Sequence, residues 1–264
     1  MAALPLLGLG ALVMLALVLL AWVLMLRTGN AAWVDVAWAL GMGALALLFA
    51  ALGPGWRPRR ELVGLLGGLW GLRLGLHLAV RIGAEGREDA RYTRLRQAWG
   101  GNIPLKFLGF FLFQALLDLA LAWPFLAACL DTQARLPGVA WAGAALWALA
   151  LGGEALADAQ LRRFKAGPAG RGRVCEHGLW RLSRHPNYFF QWLAWVGCCL
   201  VALPAPLGWT TAASPLLILF FLLRVTGIPA TEEQALASRG EAYQRYQQTT
   251  SPFIPWFPRR FPRA

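Results

Sequence analysis

Several ionisable or amide side chains lie inside long apolar stretches of the sequence. A charge within lipid hydrocarbon is costly, so a charged residue there usually contacts a substrate, an ion or an opposite charge. Arg73 and His77 are four residues apart and would share a helix face, as would Glu154 and Asp158. Ion pairs that only fix helix packing are the alternative explanation for any single member. The full set is Asp35, Arg73, His77, Asp118, Glu154, Asp158, Gln191 and Arg224. Most members lie toward the same ends of their helices, so we expect one buried polar cavity to collect them.

A glycine-rich basic segment, residues 162–173, is a second concentration of polar groups. It contains five Arg or Lys residues and three glycines. Glycine lets the backbone approach a ligand closely, and the guanidinium fork matches phosphate oxygens. Contact with anionic lipid headgroups would account for the positive charge alone. It would not account for His185-Pro186-Asn187-Tyr188, a polar and aromatic cluster directly before an apolar stretch. That cluster is typical of the mouth of a ligand site.

The apolar blocks between these residues are long enough to be membrane helices. Hydrophobic residues make up 58% of the chain and charged residues 14%, whereas a soluble domain is about one-quarter charged. A helix needs about 20 apolar residues to cross the hydrocarbon core, and its backbone groups must pair internally. We therefore predict an all-α polytopic membrane protein with seven transmembrane helices. The predicted spans are Leu4–Leu26, Trp33–Leu52, Leu62–Ile82, Phe107–Leu130, Val139–Leu161, Tyr188–Leu203 and Trp209–Val225. Pro204 and Pro206 separate the last two, which predicts a tight hairpin.

The distribution of basic residues predicts the orientation of the chain. With the N-terminus outside, 19 Lys and Arg residues fall on the cytoplasmic side and 4 on the other side. Positive charge collects on the cytoplasmic side of membrane proteins, so this orientation is the expected one and the C-terminus is cytoplasmic. The same asymmetry accounts for most of the net charge of +12, and we expect no nucleic acid as a partner.

The sequence lacks the familiar metal and soluble nucleotide-binding motifs. The cysteines do not have the spacing of metal ligands, so we expect small core residues and no metal site. They are Cys129, Cys175, Cys198 and Cys199. No Gly-x-Gly-x-x-Gly follows a predicted strand and no Walker sequence is present, which excludes a Rossmann or P-loop module. Any nucleotide must therefore bind the membrane domain itself.

Several blocks of the sequence resemble the steroid 5-alpha-reductases and their bacterial relatives, which are integral-membrane NADPH-dependent reductases. In the C-terminal half the blocks are Gly178-Leu179-Trp180-Arg181, Ser183-Arg184-His185-Pro186-Asn187-Tyr188, Gly227-Ile228-Pro229 with Glu232, and the Tyr243 to Pro255 tail. Upstream they are Trp33-Val34-Asp35, Trp70-Gly71-Leu72-Arg73 and Glu88-Asp89-Ala90-Arg91-Tyr92. The Arg-His-Pro-Asn-Tyr block alone also occurs in sterol reductases and isoprenylcysteine methyltransferases. Together with the upstream blocks, the resemblance covers most of the chain and favours the reductases.

The resemblance implies one membrane reductase domain over residues 1–264, with seven helices and the N-terminus outside. Residues 1–130 would form a four-helix part with the substrate pocket, and residues 131–264 would bind NADPH in a cavity open to the cytoplasm. The substrate would be a 3-oxo-Δ4-steroid or another hydrophobic enone that enters from lipid. We expect a monomer that contacts membrane lipids, in the bacterial inner (cytoplasmic) membrane. By position, cofactor contacts would come from Asp158, Arg162, Lys165, Arg173, Asn187, Trp195 and Arg224, and further from Arg87, Arg91, Arg171, Arg184, His185, Tyr188 and Glu232.

The implied reaction needs a hydride at C5, a proton at C4 and a hydrogen-bond donor to the C3 oxygen, where enolate charge develops. In the eukaryotic enzymes a glutamine on the second span and a glutamate on the sixth supply that donor pair. The matching positions here hold Asp35 and Gln191, so an acid–amide pair is retained with the two residue types exchanged. Asp35 could donate only when protonated, a state that burial favours. A tyrosine expected on the third span has no counterpart. His77 or Leu78 falls near its position, and His77 is the third catalytic candidate.

Two other functions fit part of the pattern. A membrane methyltransferase that uses S-adenosylmethionine on prenylated cysteine or a lipid shares the Arg-His-Pro block. Its cofactor carries no phosphate, so it does not need so many arginines, and Asp35 and Gln191 would have no role in it. A transporter would require helices broken midway through the bilayer, whereas the polar residues here cluster toward helix ends.

Overall fold

The computed structural model describes residues 3–86, 88–170 and 172–259, and within these ranges the chain is all-helical. The α-helices are α1 (Ala3–Thr28), α2 (Trp33–Leu52), α3 (Arg57–Glu85), α4 (Ala90–Ala98), α5 (Ile103–Leu121), α6 (Trp123–Leu130), α7 (Gly138–Ala166), α8 (Pro186–Ala202), α9 (Ala213–Phe220), α10 (Ile228–Arg239) and α11 (Glu241–Thr249). Shorter 3-10 helices cover Pro168–Gly170, Gly178–Arg181 and Gly208–Ala212, and a π-helix covers Phe221–Val225. The predicted all-α class is confirmed.

In the described part of the chain, six helical stretches are long and apolar enough to cross a membrane, so the chain is an integral membrane protein. They are Ala3–Thr28, Trp33–Leu52, Arg57–Ala84, Ile103–Leu130, Gly138–Ala166 and Gly208–Arg239. The sixth predicted span, Tyr188–Leu203, is not confirmed, because α8 has only 17 residues. Two prolines determine where α8 begins and ends. Pro186 is its first residue and Pro204 follows its last turn. Proline does not allow a helix to extend before it, and it cannot continue one.

Two predicted spans are interrupted rather than continuous. The predicted fourth span is divided at Ala122 into α5 and α6, and Pro124 lies in the first turn of α6. The predicted seventh span passes from α9 into the π-helix that contains Arg224 and then, beyond Gly227, into α10. A π-helical turn is rare and often accompanies a functional site, because it re-aims the side chains that follow it.

The turn between α8 and α9 occurs where the two prolines predict it. Leu207 has φ 57°, the left-handed conformation that lets the chain reverse within a few residues. Across the turn, Thr211 Oγ1 donates to Cys199 Sγ at 3.2 Å. All four cysteines are buried free thiols, as expected of small core residues.

The chain divides into two compact units that interleave along the sequence. The first contains residues 1–144 and 198–214, and the second contains residues 145–197 and 215–264. Residues 131–144 and 198–214 therefore group with the N-terminal helices, which differs from the boundary expected at residue 130. The division of roles between those two parts stays a prediction.

In the first unit, α2 and α3 approach closely because glycine faces glycine. A Cβ added at Gly71 would lie 2.6 Å from Gly43 Cα, so neither position has room for a larger residue. At the other end of the same helix pair, the guanidinium of Arg59 pairs with the carboxylate of Asp131, and both side chains are fully buried. Arg59 Nη2 also donates to the carbonyl of Arg135 at 2.6 Å. This ion pair holds the start of α3 against the segment after α6.

In the second unit, the loop that precedes α8 is braced by the C-terminal tail. The backbone of Ser183 pairs with that of Ser251, and Arg184 N donates to Ser251 O at 2.8 Å. Ser183 Oγ donates to the carbonyl of Phe253 at 2.8 Å, and Trp256 N donates to Leu182 O at 2.9 Å. The tail is therefore a structural part of the second unit.

Candidate functional site

The first unit holds the predicted catalytic residue Asp35 in a pair of hydrogen bonds. Asp35 lies in the first turn of α2. Tyr92 Oη donates to its Oδ1 at 2.6 Å, and Arg91 Nη2 donates to its Oδ2 at 2.8 Å. A guanidinium beside a carboxylate stabilises the ionised form. In this geometry Asp35 accepts from both neighbours, and Tyr92 is the group that carries the proton of their shared hydrogen bond.

The helix α4 positions Arg91 and Tyr92. Asp89 caps it, since its Oδ1 accepts from Arg91 N and from Arg91 Nε, each at 3.0 Å. Glu88 anchors the same segment to the loop between α1 and α2, because its Oε1 accepts from Ala31 N at 2.8 Å and from Arg96 Nη2 at 2.9 Å. Two acidic residues thus fix α4 beside the start of α2.

The ring of Tyr92 is buried in an aromatic environment. The residue is 3% exposed, and its ring packs edge-on against Phe107 and Phe110 at centroid distances of 6.4 and 6.3 Å. Burial, followed by the negative charge of Asp35, raises the pKa of Tyr92 well above its ordinary value. The charge of Asp35 likewise raises the pKa of Arg91, whose guanidinium lies 5.2 Å from the Tyr92 ring centroid. Near neutral pH the site therefore holds a neutral phenol and an arginine cation beside Asp35.

His77, the third catalytic candidate, lies on α3 in the same unit. It is half-buried and follows Arg73 by one turn of the helix. A role for His77 in proton transfer stays a prediction.

The second unit contains a buried ion-pair cluster around Glu232. Arg184 Nε donates to Glu232 Oε1 at 2.6 Å, and Arg184 Nη1 donates to the carbonyls of Gln247 and Thr250 at 2.9 and 2.6 Å. His185 Nε2 lies 3.2 Å from Glu232 Oε1, and Gln247 Nε2 donates to Glu232 Oε2 at 2.8 Å. The resemblance implied direct cofactor contact for Arg184, His185 and Glu232. Their contacts favour a different role, which is to hold the loop before α8 against α10 and the tail.

Burial controls the charge of His185. Removal from water lowers the pKa of its imidazole, and the hydrogen bond with Glu232 only partly opposes this shift. Its ring stacks on that of Tyr188 with centroids 5.4 Å apart, and Tyr188 Oη lies 3.1 Å from Thr231 Oγ1. The start of α8 is therefore tied to α10 by Tyr188 as well as by Arg184.

One face of α8 carries three of the predicted site residues. Asn187, Gln191 and Trp195 are spaced by four residues, which aligns them along the helix. Asn187 Nδ2 donates to Asp158 Oδ1 of α7 at 3.3 Å. Within the described part of the chain, Asn187 Oδ1 is buried and accepts no hydrogen bond. An acceptor of this kind suits a ligand that brings an N–H or O–H group.

The remaining predicted cofactor residues of the second unit are exposed cations. Arg162 and Lys165 lie in the last turns of α7, Arg173 follows it, and Arg224 lies in the π-helix. Arg163 and Arg181 are exposed as well. Arg87 and Arg171 lie outside the residues that the structure describes.

Tyr92 was not among the residues predicted for the site. A tyrosine was expected on the third span, whereas Tyr92 lies on α4, in the segment after that helix, and its hydroxyl donates to Asp35. The mixed charges of Glu88, Asp89 and Arg91 were the available signal, because a loop that only sets membrane orientation needs no acidic residues.

A family model described as "Protein of unknown function (DUF1295)" matches residues 21–250, which is most of the chain. No curated protein and no solved structure matches the chain.

Proposed function

The chain belongs to the DUF1295 family of proteins of unknown function, and we propose that it is an NADPH-dependent ene-reductase of the membrane. Its substrate would be a 3-oxo-Δ4-steroid or a related lipid enone, reduced at the C4–C5 double bond. The observation that carries this proposal is the hydroxyl of Tyr92, a buried neutral donor held by the Asp35 carboxylate. A donor of this kind serves a reaction in which negative charge develops on a carbonyl oxygen.

Tyr92 would act on the C3 oxygen of the enone. Its single proton now points to Asp35 Oδ1 and would turn to the carbonyl oxygen when the substrate binds. When a hydride adds to C5, the electron pair of the double bond moves toward that oxygen and forms an enolate. The hydrogen bond from Tyr92 stabilises the enolate until a proton taken up from solvent is added at C4. Burial raises the pKa of Tyr92, which keeps the phenol protonated at the pH of the cell.

Asp35 and Arg91 would orient Tyr92 and balance charge. Asp35 holds the hydroxyl at 2.6 Å, and Arg91 compensates the carboxylate at 2.8 Å. Asp35 is then a positioning residue, which revises its expected role as a protonated donor. The catalytic role expected of Gln191, on the face of α8, stays a prediction.

The residues of the second unit fit NADPH. The cofactor supplies the hydride, and it brings a pyrophosphate, a 2′-phosphate and an amide. Asn187 Oδ1 is a buried acceptor with no partner among the described residues, which suits the amide or a ribose hydroxyl. The exposed guanidinium groups of Arg162, Arg173 and Arg224 suit the phosphates.

We propose the orientation that the positive-inside rule predicts, with the N-terminus outside and the C-terminus in the cytoplasm of a bacterial cell. The basic segments that would meet the soluble cofactor are then on the cytoplasmic side. The proposed membrane is the inner one, and the proposed functional unit is a monomer in contact with membrane lipids.

The detergent-purified protein tests this function through oxidation of NADPH with and without progesterone. We expect oxidation only with the steroid, and a 5α-reduced product. No oxidation, together with binding of S-adenosylmethionine, would contradict the reductase and support the methyltransferase. The helix break at Ala122 also fits a transporter in part. Steroid uptake into vesicles without oxidation of NADPH would favour that function.

A further inference from the structure

Asp118 is a buried carboxyl that the proposed reaction does not use. It lies on α5 inside an apolar span and is 1% exposed. In the part of the chain that the structure describes, neither of its carboxyl oxygens has a hydrogen-bond partner. A buried polar group without a partner costs free energy comparable to a lost hydrogen bond, and more within a membrane. Such a cost is offset when a ligand supplies the partner.

Gln114 adds a second acceptor one helical turn from Asp118. Its Oε1 is also buried and accepts no hydrogen bond from the described residues. Side chains four residues apart lie on the same face of a helix, so the two groups can reach one ligand atom. An amide oxygen is only an acceptor, and a carboxyl offers at least one acceptor oxygen. The complementary ligand group is therefore a donor such as a hydroxyl.

Asp118 lies on the same stripe of α5 that packs against Tyr92. The buried stripe of α5 is Phe107, Phe111, Ala115, Asp118 and Leu121. Tyr92 packs against Phe107 and Phe110. At ~1.5 Å per residue, Asp118 lies roughly 12 to 16 Å along the helix axis from that aromatic contact. This length is comparable to that of a fused four-ring skeleton.

We propose that Asp118 and Gln114 form a second polar site for the far end of the substrate, which binds a hydroxyl group remote from the enone. This inference rests on the proposed function and specifies its substrate as a rigid apolar enone with a hydroxyl at the opposite end. Tyr92 holds the carbonyl end of the apolar skeleton and Asp118 the hydroxyl end. Contacts at both ends together fix the position of the substrate's double bond in the site.

The test compares 17β-hydroxyandrost-4-en-3-one with its 17-deoxy analogue, androst-4-en-3-one. Turnover and equilibrium binding of both compounds are measured on the wild-type protein, Asp118→Leu and Asp118→Asn. We expect the wild type to bind the hydroxylated compound about tenfold more tightly, the effect of one good hydrogen bond. Asp118→Leu, which removes both oxygens, should lower this ratio to about 1, and Asp118→Asn, which keeps one acceptor, should retain part of it. Leu116→Ala, on the exposed face of the same helix, is the matched control and should leave the ratio unchanged.

The outcomes separate this inference from the proposed function. Reduction of both compounds at equal affinity by the wild type would overturn the second site and leave the reductase intact. An unchanged ratio in a folded Asp118→Leu protein would overturn it as well. Reduction of neither compound would contradict the proposed function, and the binding ratios would then still decide whether Asp118 recognises a hydroxyl.

Discussion

Both units contain an arginine paired with a carboxylate, but the two pairs differ in what else they contact. Arg184 is almost completely buried, and its guanidinium also bonds two backbone carbonyls beside Glu232. Arg91 is more exposed, and its partner Asp35 uses its second oxygen to accept from the Tyr92 hydroxyl. The Arg184–Glu232 pair, which is bonded to backbone carbonyls, fixes a loop. The Arg91–Asp35 pair is bonded to the Tyr92 hydroxyl, whose proton can turn to another acceptor. The neighbours of an ion pair therefore indicate its role better than the pair itself.

The largest effect, a loss of stability, is expected from breaking the Arg184–Glu232 pair. Arg184→Ala leaves the partly buried Glu232 without its arginine and frees two carbonyls, which should lower the free energy of unfolding by about 3 kcal/mol. Thermal unfolding in detergent measures the change. Arg181→Ala, an exposed arginine three residues earlier, is the matched control and should change stability little. Equal melting temperatures for the two variants would show that Arg184 is not a structural residue.

Breaking the other pair should affect turnover more than folding. Asp35→Ala removes the acceptor that orients Tyr92 and leaves Arg91 uncompensated, so turnover should fall by about 100-fold or more. Binding of NADPH, followed by its fluorescence, should be retained. Asp35→Asn keeps the shape of the side chain and lacks the charge, so its turnover should lie between that of the wild type and Asp35→Ala. Unchanged turnover in Asp35→Ala would remove this residue from the mechanism.

A smaller effect is expected from the exposed cations of the second unit. Arg173→Ala should weaken the binding of NADPH about tenfold, because one charge-assisted contact to phosphate is lost. The binding of NADH, which lacks the 2′-phosphate, provides an internal comparison. Arg57→Ala, an exposed arginine of the first unit, is the control and should bind NADPH as the wild type does. If Arg173→Ala also kept its affinity, Arg173 would be assigned to lipid contact.

The smallest expected effect is the change in stability when the Tyr92 hydroxyl loses its proton at high pH. Because its pKa is raised above the ordinary value of 10.0, the folded state keeps the phenol neutral where the unfolded chain would begin to lose the proton. The stabilisation that this group contributes is present below pH 10 and is lost as pH rises through the folded pKa. The ultraviolet difference spectrum between the wild type and Tyr92→Phe should show no phenolate at pH 10. A phenolate signal at that pH would show that the hydroxyl is not buried as described.

Hydropathy predicted the membrane class because a spanning helix must be apolar over its whole length. It did not predict the break at Ala122 or the π-helix at Phe221–Val225, since both change the backbone without changing the apolar character. It also counted α8 as a span, although the prolines at its ends limit it to 17 residues.

The site was harder to predict than the spans. Single residues such as Asp35 could be named, because an ionisable group in a membrane segment is conspicuous. Its partners could not, because Tyr92 is 57 positions away in the sequence and reaches Asp35 only when α4 folds back on α2. No helical or strand period connects the two positions. The same holds for Arg184 and Glu232, which are 48 positions apart.

The central claim is that the Tyr92 hydroxyl stabilises charge on a carbonyl oxygen during reduction of an enone. The most direct test is steroid-dependent oxidation of NADPH by Tyr92→Phe beside the wild type, with NADPH binding measured on the same preparations. Loss of one oxyanion donor typically costs about 100- to 1000-fold in turnover. We expect a loss of that size with NADPH affinity unchanged. Turnover equal to that of the wild type would contradict the account.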